Sequence, residues 1–258
     1  MSRRHVTFGC GPDTLVGTID EAAGTSGLLL VTGGNETRAG AFTSQAELAA
    51  RLATTGHPVF RFDRRGTGDS GGNDPGFRAS GPDIAAATAA FRAEAPHLAR
   101  IVGFGNCNAA STLMLTGGAG LDGLVLANPW TFENDSEDAP TPAAVRARYA
   151  EKLRNPRELA RLLSGKVSLR GLVEGLCQAL RPTPPPSTLA DEMARGLGTF
   201  SGPVAILLAG RDRTAQAFLE CWDGNDPRIA HCPGASHSFS ESDARHWLFA
   251  QVLAALSA

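Results

Sequence analysis

Cys107, Asp212 and His237 follow one another in the chain in the order nucleophile, acid, base. Those three side chains could carry out acyl transfer. A cysteine sulfur attacks an acyl carbon, an imidazole handles the proton, and a carboxylate holds the imidazole in the productive tautomer. Cys107 lies in Gly105-Asn106-Cys107-Asn108-Ala109, between the apolar run RIVGFG (100–105) and a small-residue segment with helical character. Gly-x-nucleophile-x-small is the spacing of a strained strand-to-helix turn, where a larger residue two places either side of the nucleophile would strike the adjoining elements. The turn sets the nucleophile at a helix N-terminus, whose free N–H groups and dipole favour a thiolate.

Asp212 follows the apolar run PVAILLAG (203–210), at the carboxyl end where sites in parallel sheets form. His237 sits in the loop CPGASHSFSES, before the last amphipathic segment. Each reads differently in isolation: Asp212 as a turn or helix cap, His237 as a surface loop residue. Their order and their placement on the elements favour the chemical reading. Asp223 and Asp226 compete as the acid, but they precede the run RIAHCPG instead of following LLAG. Cys10, Cys177, Cys221 and Cys232 read as inert small apolar residues. His57, His97, His231 and His246 fall in turns, before or within a strand, and inside a helix, and read as structural. For an acyl oxyanion, two backbone N–H donors are needed. Asn108 supplies one; the Thr32-Gly33-Gly34-Asn35 turn supplies the other, with Gly34 favoured and Asn35 as the alternative.

The elements that must position these residues alternate along the chain. Eight short apolar runs read as strands: near residue 6, then 15–19, 27–34, 58–63, 100–105, 123–129, 203–210 and 228–234. Helical patterns lie between them. SQAELAARLATTG (44–56) has Ser44 as cap, Glu47 three residues on and Gly56 as stop. GPDIAAATAAFRAEA (81–95) opens with proline, 107–117 is small and apolar, and 241–256 is amphipathic. Strand and helix in alternation predict an α/β fold with a mainly parallel sheet. Residues 132–200 break the rhythm with an acidic link, the helical segments 142–153, 155–165 and 168–181 (Asn155 as cap, Pro156 first in the helix) and the stiff spacer RPTPPPS. This block reads as a helical cap, leaving 1–131 and 201–258 as the core.

Composition narrows the function classes. The chain has 258 residues, 42% hydrophobic and 19% charged, with a formal net charge of -2. That balance offers no electrostatic case for nucleic acid or an anionic membrane, and no run approaches the ~18–20 apolar residues of a membrane span. The basic pair at the N-terminus has no apolar stretch behind it, so a cytoplasmic protein is expected. Five scattered cysteines suggest neither a disulfide framework nor, without Cys-x-x-Cys or His-x-x-x-His, a metal site. No cofactor is implied, because the glycines at 66, 68, 71 and 72 match no phosphate loop.

GGNETRAG (33–40), RFDRRGTGDS (61–70), GNCNAAS (105–111) and NPRELARLLSGKVSLRGL (155–172) together resemble the α/β-hydrolases associated with exosortase systems in bacterial exopolysaccharide clusters. The resemblance covers most of the chain. It departs at Asn35, where proline is expected, and at Asn108, where aspartate is expected. It implies an α/β-hydrolase fold: a mostly parallel eight-stranded sheet with helices on both faces and a helical cap insertion. It also implies a structural turn at 62–72, in which Asp63 and Arg65 brace nearby loops. The expected activity is hydrolysis of a small-molecule ester or thioester through acyl-Cys107, with carrier-bound acyl groups among the partners that the resemblance suggests. An acyltransferase of the same fold and a non-catalytic binding protein on a hydrolase scaffold are the alternatives, with redox chemistry at Cys107 a lesser one. The oligomeric state is not legible.

Overall fold

The computed structural model describes residues 2–132 and 188–258. Its eight strands fall on the eight apolar runs: β1 (Arg3–Cys10), β2 (Asp13–Asp20), β3 (Ser26–Val31), β4 (Val59–Phe62), β5 (Arg100–Asn106), β6 (Gly123–Ala127), β7 (Val204–Ala209) and β8 (Ile229–Cys232). They form one sheet in the order β1-β2-β4-β3-β5-β6-β7-β8. β1 and β2 pair antiparallel, as do β2 and β4; every other pairing is parallel. The α/β-hydrolase fold expected from the sequence is the one observed.

β3, β4 and β6 are buried on both faces, which explains their nearly unbroken apolar sequences. Six α-helices lie among the described residues: α1 (Ser44–Thr54), α2 (Gly81–Glu94), α3 (Asn108–Leu115), α4 (Thr188–Gly198), α5 (Arg213–Cys221) and α6 (Ser242–Ser257). They cover the sheet in two layers. Phe91 of α2, Leu113 and Met114 of α3, Met193 of α4 and Phe218 of α5 pack into one core; Leu48 and Leu52 of α1 pack with Val252 and Leu256 of α6 into the other.

Two details differ from the sequence reading. Ser44 is the first residue of α1 and not its cap; Thr43 takes the cap position with φ 61° and no side-chain capping bond. Its hydroxyl donates instead to the Phe42 carbonyl at 2.6 Å. α4 and α5 have no counterpart among the expected helices. α4 lies against α3, with Leu189, Met193 and Leu197 buried in the same core. The cap expected over 132–200, with its segments 142–153, 155–165 and 168–181, Asn155, Pro156 and the 181–187 spacer, lies outside the described residues except at 132 and 188–200.

Candidate active site

β5 delivers Cys107 to a strained turn. Its backbone has φ 61° and ψ -131°, a conformation that a non-glycine residue adopts only when its surroundings enforce it. Those surroundings are visible. The Cys107 N–H donates to the Ala127 carbonyl at 3.0 Å, and the Cys107 carbonyl accepts from Ser111 N at 3.3 Å as α3 begins. A Cβ on Gly105 would come within 2.8 Å of the Ala109 and Ala110 backbone, which is the steric reason for a small residue there. The result is a half-buried thiol at the N-terminus of α3.

Asp212 follows β7 and is the cap of α5. Its Oδ2 accepts from Ala215 N at 3.1 Å, while its Oδ1 lies 3.0 Å from His237 Nδ1. The two oxygens of this residue thus have separate partners: Oδ2 caps α5 and Oδ1 meets the imidazole. His237, on the loop after β8, also lies near enough to Cys107 for the two groups to interact. Burial alone would pull the imidazole down, but the hydrogen bonds to Asp212 and Cys107 and the electrostatic pull of the same two groups outweigh it. The value is pushed up to about 10. Cys107, His237 and Asp212 thus stand as a connected row.

The competing acids are engaged elsewhere. Asp226 pairs with Arg228 at 2.6 Å and accepts from the Trp222 indole at 3.0 Å, so its carboxyl is held well below the usual range. Asp223 accepts from Asn225 N at 2.9 Å in a local turn. Burial pushes the thiols of Cys10, Cys221 and Cys232 up, in keeping with inert residues; Cys177 lies outside the described residues. Among the described residues no group of three or more His, Cys, Asp or Glu side chains is placed to hold a metal ion. No described helix is long and apolar enough to cross a membrane.

The glycine turn after β3 reaches the nucleophile turn. A Cβ on Gly33 would lie 2.7 Å from the Asn106 carbonyl and 2.8 Å from Asn108 Oδ1, so only glycine allows this approach. The Gly34 N–H donates to Asn108 Oδ1 at 2.8 Å. The next N–H, that of Asn35, has no hydrogen-bond partner among the described residues. The 62–72 turn braces this region. Asp63 accepts from Arg38 N at 2.6 Å and from Asp69 N at 3.1 Å, and pairs with the Arg38 guanidinium. Arg65, however, bonds Asp83 of α2 at 2.6 Å; it is Arg64 whose Nη2 donates to the Gly34 carbonyl.

Three residues near the row escaped the sequence reading. Asn106 Nδ2 and Asn128 Nδ2 both donate to the His237 carbonyl, at 3.2 and 3.0 Å. Glu36 feels the His237 charge, and burial pushes its carboxyl up. An asparagine after a strand resembles any turn residue, and only the positive φ of Asn128, 43°, is of a kind that asparagine signals.

The sequence matches the "Alpha/beta hydrolase family" over residues 28–251. Among solved structures it is similar to the alpha/beta hydrolase GrgF of Penicillium sp. sh18, at 17% identity and a TM-score of 0.64, covering 99% of this chain and 98% of that one. The esterase Pf2001 of Pyrococcus furiosus matches at 15% identity and a TM-score of 0.63, covering 99% and 91%. A proline iminopeptidase of Mycobacterium smegmatis matches at 15% and 0.58, covering 98% and 99%. At these identities the likeness shows the fold. No curated protein matches the sequence significantly.

Proposed function

The chain belongs to the alpha/beta hydrolase family, and from that premise we propose that it hydrolyses carboxylic ester or thioester bonds through an acyl-cysteine intermediate on Cys107. The observation that carries the reading is that Asp212 Oδ1 lies 3.0 Å from His237 Nδ1, with Cys107 in the strained turn at the N-terminus of α3 interacting with the same imidazole.

In this mechanism His237 starts as the imidazolium and Cys107 attacks as the thiolate. The S–C bond forms, the carbonyl electron pair moves onto oxygen, and backbone N–H groups receive the oxyanion. As the tetrahedral species collapses, the leaving alkoxide or thiolate takes its proton from His237. Acylation then removes the hydrogen bond and charge by which Cys107 holds the proton on His237. The imidazole becomes easier to keep neutral and serves as base for the water that resolves the thioester. Asp212 Oδ1, 3.0 Å from His237 Nδ1, fixes the ring throughout. The substrate class follows from this chemistry: an acyl group activated as ester or thioester, free or carried on a protein, in the exopolysaccharide setting that the sequence resemblance implies.

Intact-protein mass spectrometry after brief mixing with p-nitrophenyl esters and acyl thioesters tests the proposal. A transient acyl mass on the wild type and none on Cys107→Ala supports it. Wild-type turnover by Cys107→Ala overturns it.

A further inference from the structure

Asn108 and Gly34, the favoured pair of donors for the acyl oxyanion with Asn35 as the alternative to Gly34, are tied together by one side chain. Asn108 offers its backbone N–H as the first residue of α3, directly after Cys107. Its side-chain oxygen reaches back across the site and accepts the Gly34 N–H at 2.8 Å. The carbonyl of Gly34 is fixed separately by Arg64, so both backbone groups of Gly34 are held although the residue itself is exposed. The amide oxygen thus takes the acceptor position at the Gly34 N–H, which the proposed mechanism assigns to a substrate's carbonyl oxygen.

We infer that the Asn108 side chain is a gate on the oxyanion hole: Asn108 Oδ1 closes the Gly34 N–H in the resting enzyme, and an entering acyl oxygen must displace it. This inference rests on the proposed acyl-cysteine chemistry. The gate is free to move. Asn108 is only half-buried, its Nδ2 has no partner among the described residues, and the bond to Gly34 is the one side-chain hydrogen bond it makes there. Breaking a neutral bond of this kind shifts an equilibrium by a factor of about two to ten. An acyl group seated over Cys107 recovers that factor by making the same bond with its own oxygen, whereas a ligand without a well-placed acceptor does not. Asn108 is thus a specificity-determining residue through its side chain and an oxyanion donor through its backbone.

The test is the kinetics of acylation by p-nitrophenyl esters for the wild type, Asn108→Ala and Asn108→Asp, with the adduct on Cys107 followed by intact mass. Asn108→Ala keeps the backbone donor and opens the gate, so kcat/KM rises about two- to ten-fold, mainly through KM. Asn108→Asp holds the Gly34 N–H with a charged acceptor and sets negative charge where the oxyanion forms, so kcat/KM falls. Asn108→Ser, whose side chain is too short to reach Gly34 N, repeats the first comparison if the alanine variant does not fold. Adducts on both proteins with Asn108→Ala no faster than the wild type overturn the gate alone. No Cys107 adduct on either protein overturns the acyl-cysteine reading and the gate with it.

Discussion

Asn128 Nδ2 donates to the backbone carbonyl of His237 at 3.0 Å, across 109 residues of chain. The same amide group donates to Asn106 Oδ1 at 3.1 Å, next to Cys107, and Asn128 Oδ1 accepts from Ala209 N at 2.8 Å, three residues before Asp212. One fully buried side chain therefore joins the three segments that carry the candidate row.

Asn128→Asp keeps the acceptor for Ala209 N, tolerates the positive φ and loses the donor to the His237 carbonyl. It is expected to lower kcat by one to two orders of magnitude with little change in KM, on the scale seen for lost positioning. Asn128→Leu also leaves the Ala209 N–H unpaired in the core, at a cost of about 1–3 kcal/mol. Steady-state kinetics and thermal melts of the two variants separate positioning from simple structural loss. Equal falls in kcat and stability for Asn128→Asp would show that the residue only holds the sheet together.

The two oxygens of Asp212 allow its roles to be divided. Asp212→Asn retains an oxygen for Ala215 N, so α5 stays capped, but it cannot accept from His237 with both contacts in place. Activity on esters is expected to fall by about 10²–10⁴ while the melting temperature changes little. Asp212→Ala loses the cap as well, about 1 kcal/mol. A melt that drops as far for asparagine as for alanine would contradict the assignment of Oδ2 to the cap.

His237 sets a pH dependence of stability. Its value when folded, about 10, lies above the ordinary 6.5. The stabilisation is therefore fully present below about pH 6.5 and is lost as the pH rises through about 10. Melts of the wild type against His237→Gln should show an advantage for the wild type that is flat below pH 6.5 and shrinks towards pH 10. An advantage that grew with pH would reverse the sign of the Asp212–His237 interaction.

The candidate row was legible because each member follows an apolar run, and each of those runs forms a strand. β5, β7 and β8 carry their own signal in residues such as Ile101, Leu207 and Ile229. The supporting contacts were not legible, because they depend on strand order. Asn106 and Asn128 meet only because β5 lies beside β6, and Ala209 joins them because β7 lies on the other side. The cap of α1 moved by one residue because Ser44 and Thr43 satisfy the same local rule, and the turn at Gly40–Thr43 decides between them. α5 is short, and a cap residue such as Asp212 does not by itself show that a helix follows.

Reactivity of the thiols gives a chemical test of the site. Cys107 lies beside an imidazole whose value is pushed up to about 10, whereas burial pushes the thiols of Cys10, Cys221 and Cys232 up. A stoichiometric amount of iodoacetamide at neutral pH should alkylate Cys107 ahead of those three, and peptide mass spectrometry reads the order directly. In His237→Gln the preference should weaken, since the imidazolium is what favours the thiolate. Preferential labelling of Cys232 would place the reactive sulfur elsewhere.

Glu36 adds a second titrating group beside the row. It lines a cavity of about 70 Å³ together with Asn106, Ser238 and Phe239, which places it next to the His237 loop. Burial pushes its carboxyl up, while a hydrogen bond from the Ala41 N–H and the charge on His237 work in the opposite direction. The net direction is upward, so its ionisation costs folding stability once the pH exceeds the unfolded value near 4.5. Glu36→Gln removes that cost. The variant is expected to melt above the wild type at pH 7 and to lose that advantage as the pH falls below the unfolded value. Its effect on the chemistry has the opposite sign. The Glu36 charge favours the imidazolium, so without it the value for His237 falls, and the alkaline limb of the acylation rate should move to lower pH. A stability gain with an unmoved limb would mean that Glu36 is merely buried near the site; a shifted limb would make it part of the field that holds the proton on His237.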